Sequence, residues 1–238
     1  MSGFSWFAFA RNPDPAAHLG DAAAGAVLEI LRGVPALRRG LVFTPPPGQV
    51  AHPFPGDERA PMLALQLDFA TIEALEAAVA AEGPLRALAD AAHALPPGTA
   101  VTQQAMVRRS FPVPDATIRT ASGGLPCSYL VHYPGPAEDM NAWLGHYIRH
   151  HPALMAHFPD VREIEIYSRL DWCGGLPWAR EEMMQRNKLV FDSPEALSAG
   201  LLSPALKAMR ADFHQFPPFA GGNVHYTLLT RQVGGTPD

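Results

Sequence analysis

The stretch Phe191-Asp-Ser-Pro-Glu-Ala-Leu-Ser-Ala199 has an earlier counterpart, Phe69-Ala-Thr-Ile-Glu-Ala-Leu-Glu-Ala77. Each reads as a strand end followed by a helix start. A hydroxyl residue stands at the N-cap, and Pro194 occupies the first helical position of the later copy. The correspondence extends outward. Leu85-Arg-Ala-Leu88 answers to Leu206-Lys-Ala-Met209, and His93-Ala-Leu-Pro-Pro97 to His214-Gln-Phe-Pro-Pro218. Upstream, Pro35-Ala-Leu37-Arg38 answers to Pro159-Asp-Val161-Arg162, and Arg108 stands opposite Arg231. Matches in the same order along both halves mark an internal duplication.

Both halves show one order of elements. In the second, Ser128–Tyr133 is short and β-prone and ends at Pro134-Gly135-Pro136. A helix follows, with Met140, Trp143, Leu144, Tyr147, His151 and Leu154 at three- and four-residue spacing. Residues 163–170 alternate as a half-buried strand, 187–191 form another, the helix from Pro194 runs to about Phe213, and a strand closes at 223–233. The first half reads alike, with one helix expected over 71–92. The order β-α-β-β-α-β is the ferredoxin-like split βαβ unit. One such unit leaves a sheet face apolar, and two can bury those faces against each other. The expected fold is therefore α+β: two fused units in a pseudo-dimeric α+β barrel. The first repeat is placed at 1–115, a Pro/Gly/Ser-rich linker at 116–126, and the second repeat at 127–238.

The 238 residues are 47% hydrophobic and 17% charged, enough to bury a core. A net charge of −5, with scattered arginines and only Lys188 and Lys207 as lysines, argues against a nucleic-acid surface. No apolar run reaches the roughly 18 residues of a bilayer span. Met1–Ala10 lacks a basic start, so no signal peptide is expected, and no membrane partner is expected either. Two cysteines, Cys127 and Cys173, make no disulfide framework, and the default location is cytoplasmic. Dinucleotide, P-loop and nucleophile-elbow motifs are absent from the sequence, so no organic cofactor is expected.

The second half resembles the EthD family of the dimeric α+β barrel superfamily. Trp143, Tyr147 and His151 stand on that family's aromatic-x-x-x-aromatic-x-x-x-His pattern, and Phe191–Ala196 on its Phe-Asp-Ser-Pro-Glu-Ala element. The proline departs, following His151 directly as Pro152. The resemblance covers about 100 residues of the second half and reaches the first only through the duplication. It implies small apolar or aromatic ligands, in their degradation or biosynthesis, without fixing a reaction. The wider superfamily includes cofactor-free oxygenases, cyclases, decarboxylases, isomerases and haem enzymes.

The duplication separates shared residues from those one half alone carries. His93 and His214 occur in both, which suits a structural role at a helix end. Opposite Trp143, Tyr147 and His151 stand Leu19, Ala23 and Val27, and opposite His132 stands Ala8. One pocket, in the second half, follows from this asymmetry. His151 shares a helix face with Trp143 and Tyr147, and burial would keep its imidazole neutral, as a general base requires. His132 and His225, on the first and last strands, either join His151 as catalytic groups or point into the barrel. His146 and His150 are spaced like metal ligands, yet Arg149 lies between them and no glutamate does, so no metal is expected. Each half also carries a long insertion: residues 45–59, with His52, Phe54 and Asp57, and residues 171–184. Trp172, Trp178 and Arg180 of the second would cover an aromatic substrate, with Tyr167 beside them, or pack in a dimer. Cys173 has no activating neighbour.

The reading is a cofactor-independent lyase, isomerase or oxygenase. It would use acid–base chemistry on a small aromatic or apolar carbonyl or phenolic compound, and would act as a homodimer because the aromatic insertions would otherwise be exposed. A carrier of hydrophobic small molecules and a haem-binding protein are the alternatives.

Overall fold

The computed structural model describes residues 2–48, 59–92 and 95–234. Insertion residues His52, Phe54 and Asp57, and His93 at the helix end, lie outside the described residues. The first unit comprises β1 (Ser2–Arg11), α1 (Asp21–Arg32), β2 (Arg39–Thr44), β3 (Leu63–Phe69), α2 (Ile72–Ala78), α3 (Arg86–Ala91) and β4 (Ala100–Phe111). The second comprises β5 (Cys127–Tyr133), α4 (Met140–Met155), β6 (Glu163–Arg169), β7 (Ala179–Arg180), β8 (Gln185–Phe191), α5 (Pro194–Leu201), α6 (Ala205–Phe213) and β9 (Val224–Gly234). Caps fix the helix starts. Thr71, Asp139 and Ser193 accept from the backbone N–H groups of Ala74, Ala142 and Ala196. The single helix expected over 71–92 is two short ones. At the break Gly83 has Ala77 O and Ala78 O at 2.5 and 2.6 Å from where a Cβ would stand. The later helix is likewise split, at Ser203-Pro204, where the ring nitrogen cannot donate.

The sheets run β4-β1-β3-β2 and β9-β5-β8-β6. Their edges join antiparallel at β2–β9 and β4–β6, which closes the barrel. Two ferredoxin-like units thus form a pseudo-dimeric α+β barrel with helices outside. Closure leaves three layers of side chains: the barrel interior and one helix–sheet layer on each unit.

Alternation along β6 set Glu163, Glu165 and Tyr167 on the face away from the helices, and that face is the closed interior. Glu165 and Tyr167 are buried there. Arg39 donates to Asp68, Glu163 and Glu165 at 2.7–3.0 Å. Lys188 lies 3.0 and 2.8 Å from Glu163 and Glu165, and Arg108 donates to Glu165 at 2.7 Å. Three cations thus meet three carboxylates, which offsets the cost of burying them. At another site in the interior Arg186 binds Glu181 and donates to the His132 ring at 2.7 Å. Burial, with Arg186 beside it, holds His132 well below the ordinary histidine pKa.

The insertion of the second unit crosses to the first. Gly175 donates to Val79 O at 2.9 Å, and Cys173 N to Glu76 Oε1 at 2.7 Å. A Cβ on Gly175 would meet the Ala81 backbone at 2.5 Å, so only glycine permits this approach. Gln103 of β4 donates to Leu176 O and Trp178 O at 3.2 and 2.9 Å and accepts from Trp6 Nε1 at 3.2 Å. Trp178 stacks on Trp6 with centroids 6.0 Å apart.

Candidate active site

The second helix–sheet layer holds a cavity of about 360 Å³. Its floor is Tyr129, Val131 and Tyr133 of β5, with Asn187 and Leu189 of β8 and His225 of β9 beside them. Its roof is α4, α5 and α6, which contribute His151 and apolar groups such as Met155, Leu201 and Phe213. The volume falls within the range of small-molecule sites, mostly apolar with a few converging polar groups.

His151 stands at the wall, 4% exposed. Its Nδ1 lies 2.7 Å from Asp212 Oδ2, while His146 Nε2 lies 3.1 Å from Asp212 Oδ1. A neutral imidazole bonded through Nδ1–H to a carboxylate keeps a lone pair on Nε2. Burial lowers the His151 pKa; the Asp212 hydrogen bond and charge partly oppose that shift. Asp212 remains ionised below the usual carboxylate range because its bonds to the two histidines outweigh its desolvation. The result is an oriented, uncharged base facing an apolar space, the requirement for general base catalysis.

A second polar group runs across the floor. Asn187 Nδ2 donates to Tyr147 Oη at 2.7 Å. The Tyr147 and Tyr133 rings meet edge to face with centroids 5.7 Å apart. Asn223 Nδ2 lies 3.3 Å from His225 Nε2, and the His225 ring stacks on Tyr129 at 5.5 Å. Burial holds both tyrosines protonated, Tyr133 with its pKa pushed well above its ordinary value.

Of the residues singled out from sequence, His151 and His225 line this cavity, and so does His214, to which the duplication gave a structural role at a helix end. Trp143 and Tyr147 are buried behind its wall, stacked on each other at 5.2 Å. The other expected positions need correction. His132 points into the barrel against Arg186, and the strand pairing sets Val131, not His132, in the place of Ala8, since Ala8 faces Leu65 and Val131 faces Asn187. Tyr167 is also inside the barrel, where its hydroxyl meets Glu165 at 2.5 Å. Trp172 and Trp178 pack on the first unit's core, and Arg180 lies over the Trp172 ring at 4.0 Å. Sequence position assigned these three to the second unit's pocket, but their loop crosses the unit boundary. His146 turns to Asp212, and His150 is exposed.

Two residues escaped notice. Asp212 stands opposite Ala91 and Asn187 opposite Leu65, so the comparison that isolated His151 also marks them. An acid at a helix end reads as solvated. So does Asn187 within Gln185-Arg-Asn-Lys188, although every residue of β8 is buried.

No protein-family model matches the chain, and no curated protein sequence matches it. Solved structures share its fold across nearly its whole length. One is described as an anthrone oxidase-like protein: TM-score 0.59, 13% identity, 97% of this chain and 92% of that one. A provisionally assigned monooxygenase from Fusobacterium nucleatum subsp. nucleatum gives 0.62, 8%, 98% and 94%. Another from Lactobacillus acidophilus NCFM gives 0.52, 10%, 98% and 96%. These are dimeric α+β barrel proteins, and at such identities the likeness concerns the fold. Among the described residues no helix is long and apolar enough to cross a membrane.

Proposed function

We propose that the protein is a cofactor-independent enzyme that removes a proton from a small aromatic or apolar carbonyl or phenolic compound, with His151 as the base. The observation that carries this reading is the His151–Asp212 pair at 2.7 Å on the wall of the apolar cavity. Asp212 holds the imidazole in the tautomer whose Nε2 accepts. Tyr133, Asn223 and His225 are placed to hydrogen-bond the oxygen on which charge develops. The fate of the resulting anion distinguishes lyase, isomerase and oxygenase. The descriptions of the structural neighbours favour oxygenation. In that outcome an activated methylene of the substrate would react with dioxygen, its two hydrogens leaving with one oxygen atom as water and the carbon becoming a ketone.

Kinship to EthD proteins is part of the same proposal, supported by the Trp143, Tyr147, His151 line and the Phe191–Ala196 turn. The first unit is read as scaffold and the second as the bearer of the site. Assembly as a homodimer is also proposed, although the insertion tryptophans expected to drive it pack on the first unit's core. Its mass at micromolar concentration tests that.

The function is tested by incubating wild type and His151→Ala with phenols, aryl ketones and aromatic acids, following thermal shift and product mass. Conversion by wild type alone, with ligand affinity retained in the variant within about tenfold, supports the proposal. Stabilisation by compounds that return intact supports the carrier reading instead.

A further inference from the structure

Asn187 is 1% exposed and lines the cavity, yet its Oδ1 has no hydrogen-bond partner among the described residues. Its other amide atom is engaged, since Nδ2 donates to Tyr147 Oη, which lies behind the wall. The planar amide then sets Oδ1 on the side opposite that bond. A buried acceptor left without a partner is disfavoured, and native proteins rarely keep one without a use. In the first unit the same sheet position is Leu65, so the fold itself does not need an amide there.

We infer that Asn187 Oδ1 is a specificity-determining acceptor for a hydroxyl group of the ligand, so that the site selects hydroxylated aromatic compounds over their size-matched apolar analogues. This rests on the reading of the cavity as an aromatic-ligand site. With His151 held by Asp212, both its Nε2 and Asn187 Oδ1 are acceptors. A ligand that satisfies the two presents a hydroxyl to Asn187 and an acidic proton to His151. A compound without a donor leaves Oδ1 orphaned, and sites built to bond a hydroxyl discriminate strongly against analogues that lack it.

The test titrates the full chain with 2-naphthol and with 2-methylnaphthalene, whose methyl group matches the hydroxyl in size. Wild type is expected to bind 2-naphthol at least about tenfold more tightly. Asn187→Leu is expected to lose or reverse that preference. Should the leucine variant fold poorly, Asn187→Ala is used with the same readout. Equal binding of the two compounds by wild type overturns the inference, as does a preference that persists in the folded variant. Binding of neither by wild type overturns the aromatic-site reading along with it. The outcomes separate from those of the catalytic proposal: selectivity that depends on Asn187, without turnover that depends on His151, leaves this inference standing and removes the enzyme.

Discussion

The two helix–sheet layers share one topology and differ in what fills them. In the first, Val27, Leu65 and Ala91 surround a small apolar void of about 60 Å³, and Trp178 from the other unit packs beside them. In the second, the equivalent positions are His151 and Asn187, which line a cavity of about 360 Å³, and Asp212, which holds His151 from behind its wall. The last strand shows the same divergence. Gln103 of β4 holds the crossing insertion, whereas His225 lines the cavity; strand pairing makes it the counterpart of Gln103 and sets Thr230, not Arg231, opposite Arg108. Duplication lets one copy keep the packed core that closes the barrel. The other can then carry buried polar groups and empty volume, both of which cost stability.

The strongest way to break this comparison is His151→Ala. It should lower kcat/KM by about 10²–10⁴-fold while the protein remains folded. Val27→Ala, at the matching place in the first layer, should leave turnover unchanged. Equal losses in the two variants would mean that both layers, or neither, carry the chemistry.

Trp178→Ala should show the reverse pattern. Removing a large side chain from the first layer should destabilise the fold by about 2–4 kcal/mol in denaturant titration, with turnover per folded molecule retained. A stability change within error would mean that the insertion does not close the first layer.

Asp212→Asn sharpens the assignment within the second layer. It should lower kcat by about ten- to a hundredfold by releasing the imidazole tautomer. Burial lowers the His151 pKa, so the base stays neutral, and wild-type activity stays flat, from above pH 7 to below the ordinary histidine value before it falls in acid. Asp212 raises that pKa, so its removal should move the acid limb to lower pH. Stability follows the same sign. A histidine held neutral contributes fully above its unfolded pKa, about 6.5, and that contribution declines as pH falls from there toward the depressed folded value. A limb that moves to higher pH in Asp212→Asn would contradict the pairing.

The duplication was legible because caps and apolar spacing recur: Thr71 and Ser193 start matching helices, and the matches between run in order. Alternation along the strands was legible too, but not what each face meets. Glu163, Glu165 and Lys188 look solvated in sequence and instead pair inside the closed barrel. His151 was legible because apolar neighbours surround it on one helix face. Asp212 was not, since its partner lies 61 positions away. The crossing of Trp172 and Trp178 was hidden for a related reason. Membership of a repeat is a property of the chain, whereas the direction of a loop is decided by what it packs against, here Val79, Ala81 and Trp6.

The central claim is proton abstraction by His151 in the second layer, and hydrogen exchange reads it without reference to any later step. The hydroxyaryl ketone 6-hydroxy-1-tetralone in anaerobic D₂O, followed by mass spectrometry, reports deuterium uptake at the methylene beside its carbonyl. The account predicts uptake well above the buffer rate with wild type and at the buffer rate with His151→Ala. Uptake that is equally fast with both proteins would contradict it.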